Sequence, residues 1–563
     1  MRDVHTVRLP AATPPDRVDV LVVGAGPVGL AAAVELHARG VDVAVVDQAR
    51  EATLVRAGAM GHTPRVVEHF RRWGVLQDIR AAWTFPPEWN QGIRLVTSLV
   101  GHELVPTTRP AFTGAARHSA EEALRRPQTA LQQVFLRHLA LRGVTVAGGW
   151  RLTELRADAD GVDAVLAHGR TVRARYVVGA DGASSTVRRL AGIEREGDHA
   201  TEKRLRLVVR TGDISARVGA APSGTNIVVN QRADGFLAAI SSREWRVYAG
   251  PYPLDHQPSE DELLSVARAA FGFDLDLELA SATTFYDATR IASTFRAGRV
   301  LLAGDAAHVR TPGGNLGEGF GDVVNLGWKL AAVLAGQACE ELLDSYDQER
   351  RRHNWRIADF ALARARRSRE TLAEIRRLGV PDDADLGPEA RRRRALIGSI
   401  LGANRLGADG VTFDERYDDS AVIWYEDGQR ESEPPWRPDA YADDPRPGHR
   451  APNGQVDPYG GTLYDRIGND LALLVLTEDR TVERAFAAEA AARSLPFTVV
   501  HLTEPAAREV YGTGNVLVRP DQHVAWRGTA LPHGGAAAVL DRIVGVRRLV
   551  EPVAELVAVG SER

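Results

Sequence analysis

From Val18 to Asp47 the chain reads VDVLVVGAGPVGLAAAVELHARGVDVAVVD, and no other stretch constrains the fold as strongly. Val20 to Val23 form an apolar run too short for a helix. Gly24, Gly26 and Gly29 follow in GxGxxG spacing, and an Ala-rich helical stretch comes next. In that pattern Gly24 makes the tight turn, Gly26 lets the backbone approach a pyrophosphate, and Gly29 lets the helix pack closely on the strand. Gly40 stops the helix, Val41 to Val46 make a second strand, and Asp47 ends it. The helix N-terminus offers free N–H groups to a phosphate and the terminal carboxylate can accept from a ribose diol, so the stretch is predicted to be a dinucleotide-binding unit.

A chain of 563 residues should hold several domains, and a hydrophobic fraction of 44% is that of an ordinary globular protein. The net charge of −4 gives no reason to expect nucleic acid or an anionic membrane as partner. The first seventeen residues lack the apolar core of a signal peptide, and no segment offers the roughly 18 uncharged apolar residues of a membrane span. A soluble, cytoplasmic protein is expected. Cys339 is the only cysteine, which excludes an internal disulfide, a CxxC redox pair or a zinc–cysteine site, and it is expected to be buried packing. No metal site is expected. Lys203 and Lys329 are the only lysines among many arginines, a bias that reads as base composition and not as a basic binding face.

Further along, an irregular stretch containing Arg56 precedes a helix from about Pro64, in which Val66, Val67, Phe70, Trp73 and Leu76 fall at helical spacing. Strand-like residues follow near Ile93 to Val96, and Arg126 to Arg142 reads as a helix closed by Gly143. Val144 to Val146 and the alternating run Gly161 to His168 suggest strands meeting in a hairpin. From Glu196 to Ile291 apolar and polar residues alternate, as in Arg204 to Arg210, predicting a mainly β domain. RVLLAGDAAH then returns to α/β character, with one long amphipathic helix expected from about Asp322 through the Glu349 to Arg369 region. The Asp-, Pro- and Gly-rich stretch from about Gly407 reads as a linker or wrapping segment. Strands at Leu471 to Leu476, Phe497 to His501 and Asn515 to Val518, with a helix Val482 to Arg493 between the first two, predict a small βαβ domain.

Two further motifs narrow the reading. GADGASSTVR, with Asp181, Gly182, Ser185 and Arg188, resembles the DG motif of the class A FAD-dependent aromatic monooxygenases, and GRVLLAGDAAH, with Gly304, Asp305 and His308, resembles their GD motif. The resemblance covers nearly the whole chain. It implies an α/β fold with a Rossmann-like, GR2-type FAD-binding domain (residues 1–195 and 292–406), a β-rich substrate domain (196–291), a linker (407–460) and a thioredoxin-like C-terminal domain (461–563) of the phenol-hydroxylase branch. By the same resemblance Gly24, Gly26, Pro27, Gly29, Asp47, Gln48, Arg56 and Gln128 lie along the FAD. Asp181 supports its pyrophosphate end and Asp305 accepts from a ribityl hydroxyl, with Gly304, Pro312, Gly314 and Gly317 also beside it. The segment TPGGNLGEGFGDVVNLGWKL departs from the family pattern: it is two residues short between Pro312 and Asp322, and Gly317 stands where asparagine is usual. Its five glycines, at 313, 314, 317, 319 and 321, are expected to allow close approach to the flavin ring. With no cysteine after Cys339, the C-terminal domain cannot do thiol chemistry and is expected to give structural support or contact within a homodimer.

The implied reaction uses NADPH or NADH to reduce FAD and O2 to form a C4a-hydroperoxide, whose terminal oxygen passes to an electron-rich aromatic compound. The protein supplies position and dryness. His62 and Tyr286 are the candidates for a base or acceptor near a phenolic hydroxyl, and Met60 stands where some relatives carry an aspartate. Trp83, Phe85, Trp89, Phe236, Trp245, Tyr248 and Phe285 sit in segments that form the substrate pocket in relatives, and as a set suggest a large flat phenol or quinone of polyketide type. Baeyer–Villiger insertion or epoxidation on a similar substrate is the nearest alternative. A flavin-bearing binding or sequestration protein is the alternative from another class. A halogenase is disfavoured, because no WxWxIP-like segment or suitably placed lysine is present.

Overall fold

The computed structural model describes residues 6–53, 61–82, 89, 92–106, 118–119, 121–218, 224–286, 288–310, 315–403, 408–441, 444–454 and 461–545. Its centre is a mixed sheet. The strand Arg17–Val23 pairs in parallel with Val43–Asp47 on one edge and Thr171–Gly179 on the other, and Thr145–Gly148 extends the sheet beyond Val43–Asp47. The free edge of Thr171–Gly179 is shared: Val300–Leu302 pairs in parallel with its last residues, and an antiparallel hairpin, Leu152–Ala157 with Val162–Leu166, takes its first half. The hairpin expected between Val144–Val146 and the 161–168 run is therefore replaced by two separate pairings. Gly149 (φ +87°) breaks the chain after Thr145–Gly148, and Asp158 accepts from the backbone N–H of Asp160 and Gly161 to close a tighter turn further on.

The helix Pro27–Ala38 is buried along nearly its whole length, between this sheet and the helix Asn315–Leu334, which is why its sequence is Ala- and Val-rich on every face. The single long helix expected from Asp322 is two helices, Asn315–Leu334 and Asp344–Leu378. Gly336, at φ +71°, turns the chain, and a short 3-10 turn, Glu340–Leu343, starts the second helix. Cys339, expected to be buried, is exposed at the start of that turn.

A seven-stranded sheet forms the second body, in the order Glu278–Tyr286, Glu202–Arg210, Glu244–Pro253, Asp234–Ala239, Thr225–Val229, Ile93–Val96, Glu103–Val105. Two of its strands thus come from before residue 196, so the β body is not confined to the 196–291 segment. One face, carrying Leu205, Leu207, Trp245 and Val247, packs on the helix Glu260–Phe271 through Leu263, Leu264, Ala267 and Phe271. The opposite face meets the helix Asp344–Leu378, whose Arg376 pairs with Asp234.

The C-terminal domain is a thioredoxin-like α/β unit. Leu471–Val475 pairs in parallel with Phe497–His501 and antiparallel with Asn515–Val518, which continues to Val524–Gly528. Because neighbouring residues in a strand point to opposite faces, Leu471, Leu473 and Val475 face one apolar cluster while Ala472 and Leu474 face another. No helix among the described residues is long and apolar enough to cross a membrane.

Candidate active site

Each glycine of the first turn answers a different steric demand. At Gly24 a Cβ would lie 2.4 Å from the Ala180 carbonyl oxygen, and φ is +112°; at Gly29 it would lie 1.9 Å from the Gly24 carbonyl oxygen. At Gly26 it would meet nothing within 4 Å. Gly26 is the N-cap of Pro27–Ala38, with no side chain bonded to the helix end and Pro27 in the first turn. The leading N–H groups therefore face open space that an anion can enter. Asp47 closes the turn by accepting from Ala25 N (2.7 Å) and Ala49 N (2.8 Å), which leaves carboxylate lone pairs for a diol. Exposed Gln48 follows it, and half-buried Gln128 starts the helix Gln128–Ala140.

One residue beside this turn belongs to none of the motifs. Gln132 is buried, donates from Nε2 to the Ala25 carbonyl at 3.1 Å, and its Oε1 is buried without a partner among the described residues. Its place one turn after Gln128 on an otherwise apolar face is the clue a sequence offers.

The DG motif is built around Asp181, whose carboxylate accepts from Ser185 Oγ (2.5 Å), Thr186 N (2.6 Å) and Val187 N (3.1 Å). Asp181 thereby anchors the turn that leaves Thr171–Gly179, the strand beside the first one. In the GD motif Gly304–Ala306 is a 3-10 turn that presents Asp305 at the surface, while Arg195 donates to the Asp305 carbonyl at 3.0 Å.

The helix beginning at Asn315 packs directly on this turn. A Cβ at Gly319 would lie 2.6 Å from Val28 and 3.2 Å from Gly304 Cα, one at Gly317 3.0 Å from Val66, and one at Gly321 2.7 Å from the Arg350 guanidinium. These three glycines lie inside the helix Asn315–Leu334, where the missing side chains make room for Val28, Val66 and Arg350. Gly313, Gly314, Pro312 and Arg56 lie outside the described residues, as do Met60, Trp83 and Phe85.

Behind the helix lies a lattice of buried charge. Asp322 accepts from Gly304 N (2.9 Å), His308 Nε2 (2.7 Å) and Arg350 Nε (2.8 Å). Burial would raise its pKa, but His308 and Arg350 hold it below the usual carboxylate range. Glu318, in the first turn, accepts from His353 (2.8 Å) and Arg350 (3.1 Å). Further along, Glu349 accepts from Asn325 (2.7 Å), Lys329 (2.6 Å), Ser420 (2.5 Å) and Arg519 (2.6 and 2.9 Å). Burial opposes that charge, yet Arg519 and Lys329 bring the Glu349 carboxyl down to about 2.

The seven-stranded sheet separates the aromatic candidates into two groups. Trp89 and Trp245 are fully buried, their rings 5.4 Å apart and tilted, with Trp245 edge-on to Phe271 in the core beneath the sheet. Phe236, Tyr248 and Phe285 lie on the other face as a half-buried row, with ring centres 5.6 and 5.1 Å apart. His62 is buried, edge-on to Phe70, and its Nε2 donates to the Arg126 carbonyl at 3.1 Å; burial lowers its pKa to about 4. Tyr286 is 51% exposed at the end of the outermost strand, so the structure does not bring the two together.

Residues 17–361 match the family described as FAD binding domain, and residues 444–546 match the aromatic-ring hydroxylase, C-terminal family. The chain belongs to the FAD-dependent aromatic monooxygenases. This monooxygenase is 33% identical over 553 residues to a Streptomyces halstedii protein that carries the name polyketide hydroxylase, covering 91% of this chain and 93% of the relative. It is similar to RebC soaked with chromopyrrolic acid and holding 7-carboxy-K252c (TM-score 0.82, 30% identity, 95% of this chain and 100% of the other). It is also similar to aklavinone-11 hydroxylase in its ternary complex with FAD and aklavinone (TM-score 0.78, 27% identity, the same coverages). The open space at Gly26, the available lone pairs of Asp47, the orphaned Gln132 Oε1 and the presented Asp305 together fit an extended FAD.

Proposed function

We propose that this monooxygenase hydroxylates a polycyclic phenol or quinone of polyketide type, with NADPH or NADH as reductant and O2 as oxygen source. The observation that carries the reading is the half-buried row Phe236, Tyr248 and Phe285, three neighbouring rings tilted 60° and 53° to one another on the sheet face opposite the Trp245 core. Its three rings suit a ligand of several fused rings better than one benzene ring. The names of the relatives, several of which handle large polycyclic molecules, support it.

When bound, FAD supplies an electrophilic oxygen after reduction and reaction with O2. The chain's own part is to bind, orient and keep dry. Gly26 and the start of Pro27–Ala38 would hold the pyrophosphate, Asp47 the adenosine ribose and Asp305 the ribityl chain. The N-terminal end of Asn315–Leu334 carries a partial positive charge that would stabilise negative charge on a reduced ring held beside it.

The test is NADPH and NADH consumption by FAD-loaded protein with simple phenols, naphthoquinones and polycyclic polyketides, with peroxide release followed in parallel. Stimulated consumption with little peroxide and incorporation of one labelled oxygen as a ring hydroxyl is expected for the polycyclic compounds. Tightly coupled turnover of simple phenols without response to polycyclic ones would overturn the substrate class. An inserted ring or ester oxygen would replace hydroxylation by Baeyer–Villiger chemistry.

A further inference from the structure

In the first glycine turn, Ala25 is held at both ends. Its N–H donates to Asp47 Oδ2 at 2.7 Å, and its carbonyl accepts from Gln132 Nε2 at 3.1 Å. Gln132 comes 107 residues later in the chain, on the helix Gln128–Ala140, and is 1% exposed. A carbonyl can only accept, so the nitrogen end of the amide is the one that faces Ala25. The other end, Oε1, is buried without a partner among the described residues. Leu131, Val134 and Phe135 beside it in the same helix belong to the apolar core. A buried acceptor left unsatisfied is a cost that a leucine or methionine at this position would avoid. Packing therefore does not explain an amide here, whereas its one hydrogen bond runs to the backbone of the glycine turn.

The bonded carbonyl belongs to the peptide that joins Ala25 to Gly26. In a trans peptide the C=O and N–H point in opposite directions, so fixing the Ala25 carbonyl toward Gln132 turns the Gly26 N–H away from it. Gly26 is the N-cap of Pro27–Ala38, at φ −69°, with no side chain capping the helix and nothing within 4 Å of where a Cβ would stand. Its N–H meets no acceptor among the described residues. A glycine here also leaves the peptide free to reverse. Reversal changes ψ of Ala25 and φ of Gly26 in opposite senses, and glycine accepts a positive φ without steric penalty. The reversed peptide would present an oxygen to the space in front of the helix, where it would repel an anion.

We propose that Gln132 is a positioning residue for FAD: by holding the Ala25 carbonyl it fixes the Ala25–Gly26 peptide with the Gly26 N–H directed at the pyrophosphate. Gln132 does not touch the cofactor and acts through Gly26. Its contribution is preorganisation, since a turn already in the binding orientation loses no affinity to the reversed one. The proposal rests on the reading that Gly26 and the start of Pro27–Ala38 hold the pyrophosphate.

FAD is titrated into the full-length apoprotein and followed by flavin fluorescence, with the melting temperature of the apoprotein measured alongside. Gln132→Met, which keeps the volume and removes the donor, is expected to weaken FAD binding at least about tenfold. Its apoprotein should melt within about 3 °C of the original, because losing the bond to Ala25 is offset by removing the unsatisfied Oε1. In Gln132→Glu only the protonated carboxyl can donate to the Ala25 carbonyl. FAD should then bind this variant more tightly at about pH 6 than at about pH 8.5, by a factor at least about fivefold larger than in the unaltered protein. Because Gln132 acts through Gly26, Gln132→Met should weaken binding by no more than about twofold further when added to Gly26→Ala. FAD affinity within about twofold of the original in Gln132→Met, or a double variant whose loss is the product of the two single losses, overturns the proposal. So does an affinity loss that comes with a collapse of apoprotein stability and no added pH response in Gln132→Glu, which would make Gln132 a core residue. Gly26→Ala alone reports whether the pyrophosphate lies at Gly26, so failure of that placement and failure of the role of Gln132 are read from different variants.

Discussion

Arg519, in the C-terminal domain, donates to both carboxylate oxygens of Glu349, at 2.6 and 2.9 Å, and Glu349 in turn accepts from Lys329 and Asn325 on the helix that starts beside the GD motif. Both residues of the pair are fully buried. Asp521, next to Arg519, also accepts from Asn325 at 3.0 Å. A thioredoxin-like domain without a cysteine is thereby wired into the helix Asn315–Leu334.

Arg519→Met would leave Glu349 and Asp521 buried beside each other with one fewer cation. Removing one partner of such a pair typically costs about 3–5 kcal/mol, more than the intact pair contributes. The expected outcome is a large loss of stability in urea unfolding together with weaker FAD retention, read from recovery of free-flavin fluorescence. Replacing Asp521 by Asn in the same chain should restore part of the loss, because Glu349 then keeps Lys329 as its buried partner and the second carboxylate left by Arg519 is removed. Unchanged FAD affinity in a folded Arg519→Met protein would show that the domain contact does not reach the cofactor helix.

His62 predicts a pH dependence. Its folded-state pKa is about 4, against an ordinary value of 6.5, because burial disfavours the charged ring. Below pH 6.5 the unfolded chain takes up a proton that the folded chain refuses until about pH 4, so stability is complete above 6.5 and falls as the pH drops through that window. The shift corresponds to about 3 kcal/mol at its full extent. His62→Gln can still donate to the Arg126 carbonyl and does not titrate. Its melting temperature should therefore fall less steeply between pH 6.5 and 4 than that of the unaltered protein. An identical slope in both would remove His62 from the account.

The glycines of the first turn give a sharper contrast. An alanine at Gly29 would drive its Cβ to 1.9 Å from the Gly24 carbonyl, whereas one at Gly26 meets no protein atom within 4 Å. Gly29→Ala is expected to yield unstable or insoluble protein. Gly26→Ala should fold with an apoprotein melting temperature close to the original, but bind FAD at least about tenfold more weakly, since the added methyl occupies the space the pyrophosphate needs. Normal FAD affinity in Gly26→Ala would mean that the pyrophosphate lies elsewhere.

Much of this arrangement was legible in the sequence because local rules governed it. The strand, glycine turn, helix and acid of Val18–Asp47 depend on neighbours within a few residues, and the structure reproduces their order at Arg17–Val23, Pro27–Ala38 and Val43–Asp47. The βαβ order of the C-terminal domain was readable for the same reason. What was not legible depended on distant partners. Strands Ile93–Val96 and Glu103–Val105 join a sheet whose other members all come after residue 200, Ile93–Val96 pairing with Thr225–Val229, and nothing local announces that pairing. Apolar periodicity continues across Gly336, so one helix and two look alike until the turn is seen. That the glycines at 317, 319 and 321 lie in a helix against Val66, Val28 and Arg350 was not legible either, because those neighbours belong to other parts of the chain. The arginines 206 and 246 were plain members of an alternating pattern until register set both beside one tyrosine, Tyr248.

The aromatic residues of the strand Glu244–Pro253 carry the last prediction. Trp245 and Tyr248 are three apart, and an odd offset in a strand places side chains on opposite faces. Trp245 is fully buried with Trp89 and Phe271 beneath the sheet, whereas Tyr248 stands half-buried between Phe236 and Phe285 on the opposite face. Trp245→Ala removes a large core side chain and should lower stability by about 3–5 kcal/mol in urea unfolding. Tyr248→Ala removes comparable aromatic area from a surface that has no packed core behind it in the same direction, and should shift stability by no more than about 1 kcal/mol. Ligand binding should divide the other way. Titration of the FAD-loaded protein with anthraquinone-2-carboxylate is expected to show a loss of at least about tenfold for Tyr248→Ala. A Trp245→Phe protein, which keeps the core filled, should bind as the unaltered chain does. If Trp245→Phe loses binding while Tyr248→Ala keeps it, the row of three rings is not where the aromatic ligand sits, and the site must be sought on the side of the sheet that now reads as core.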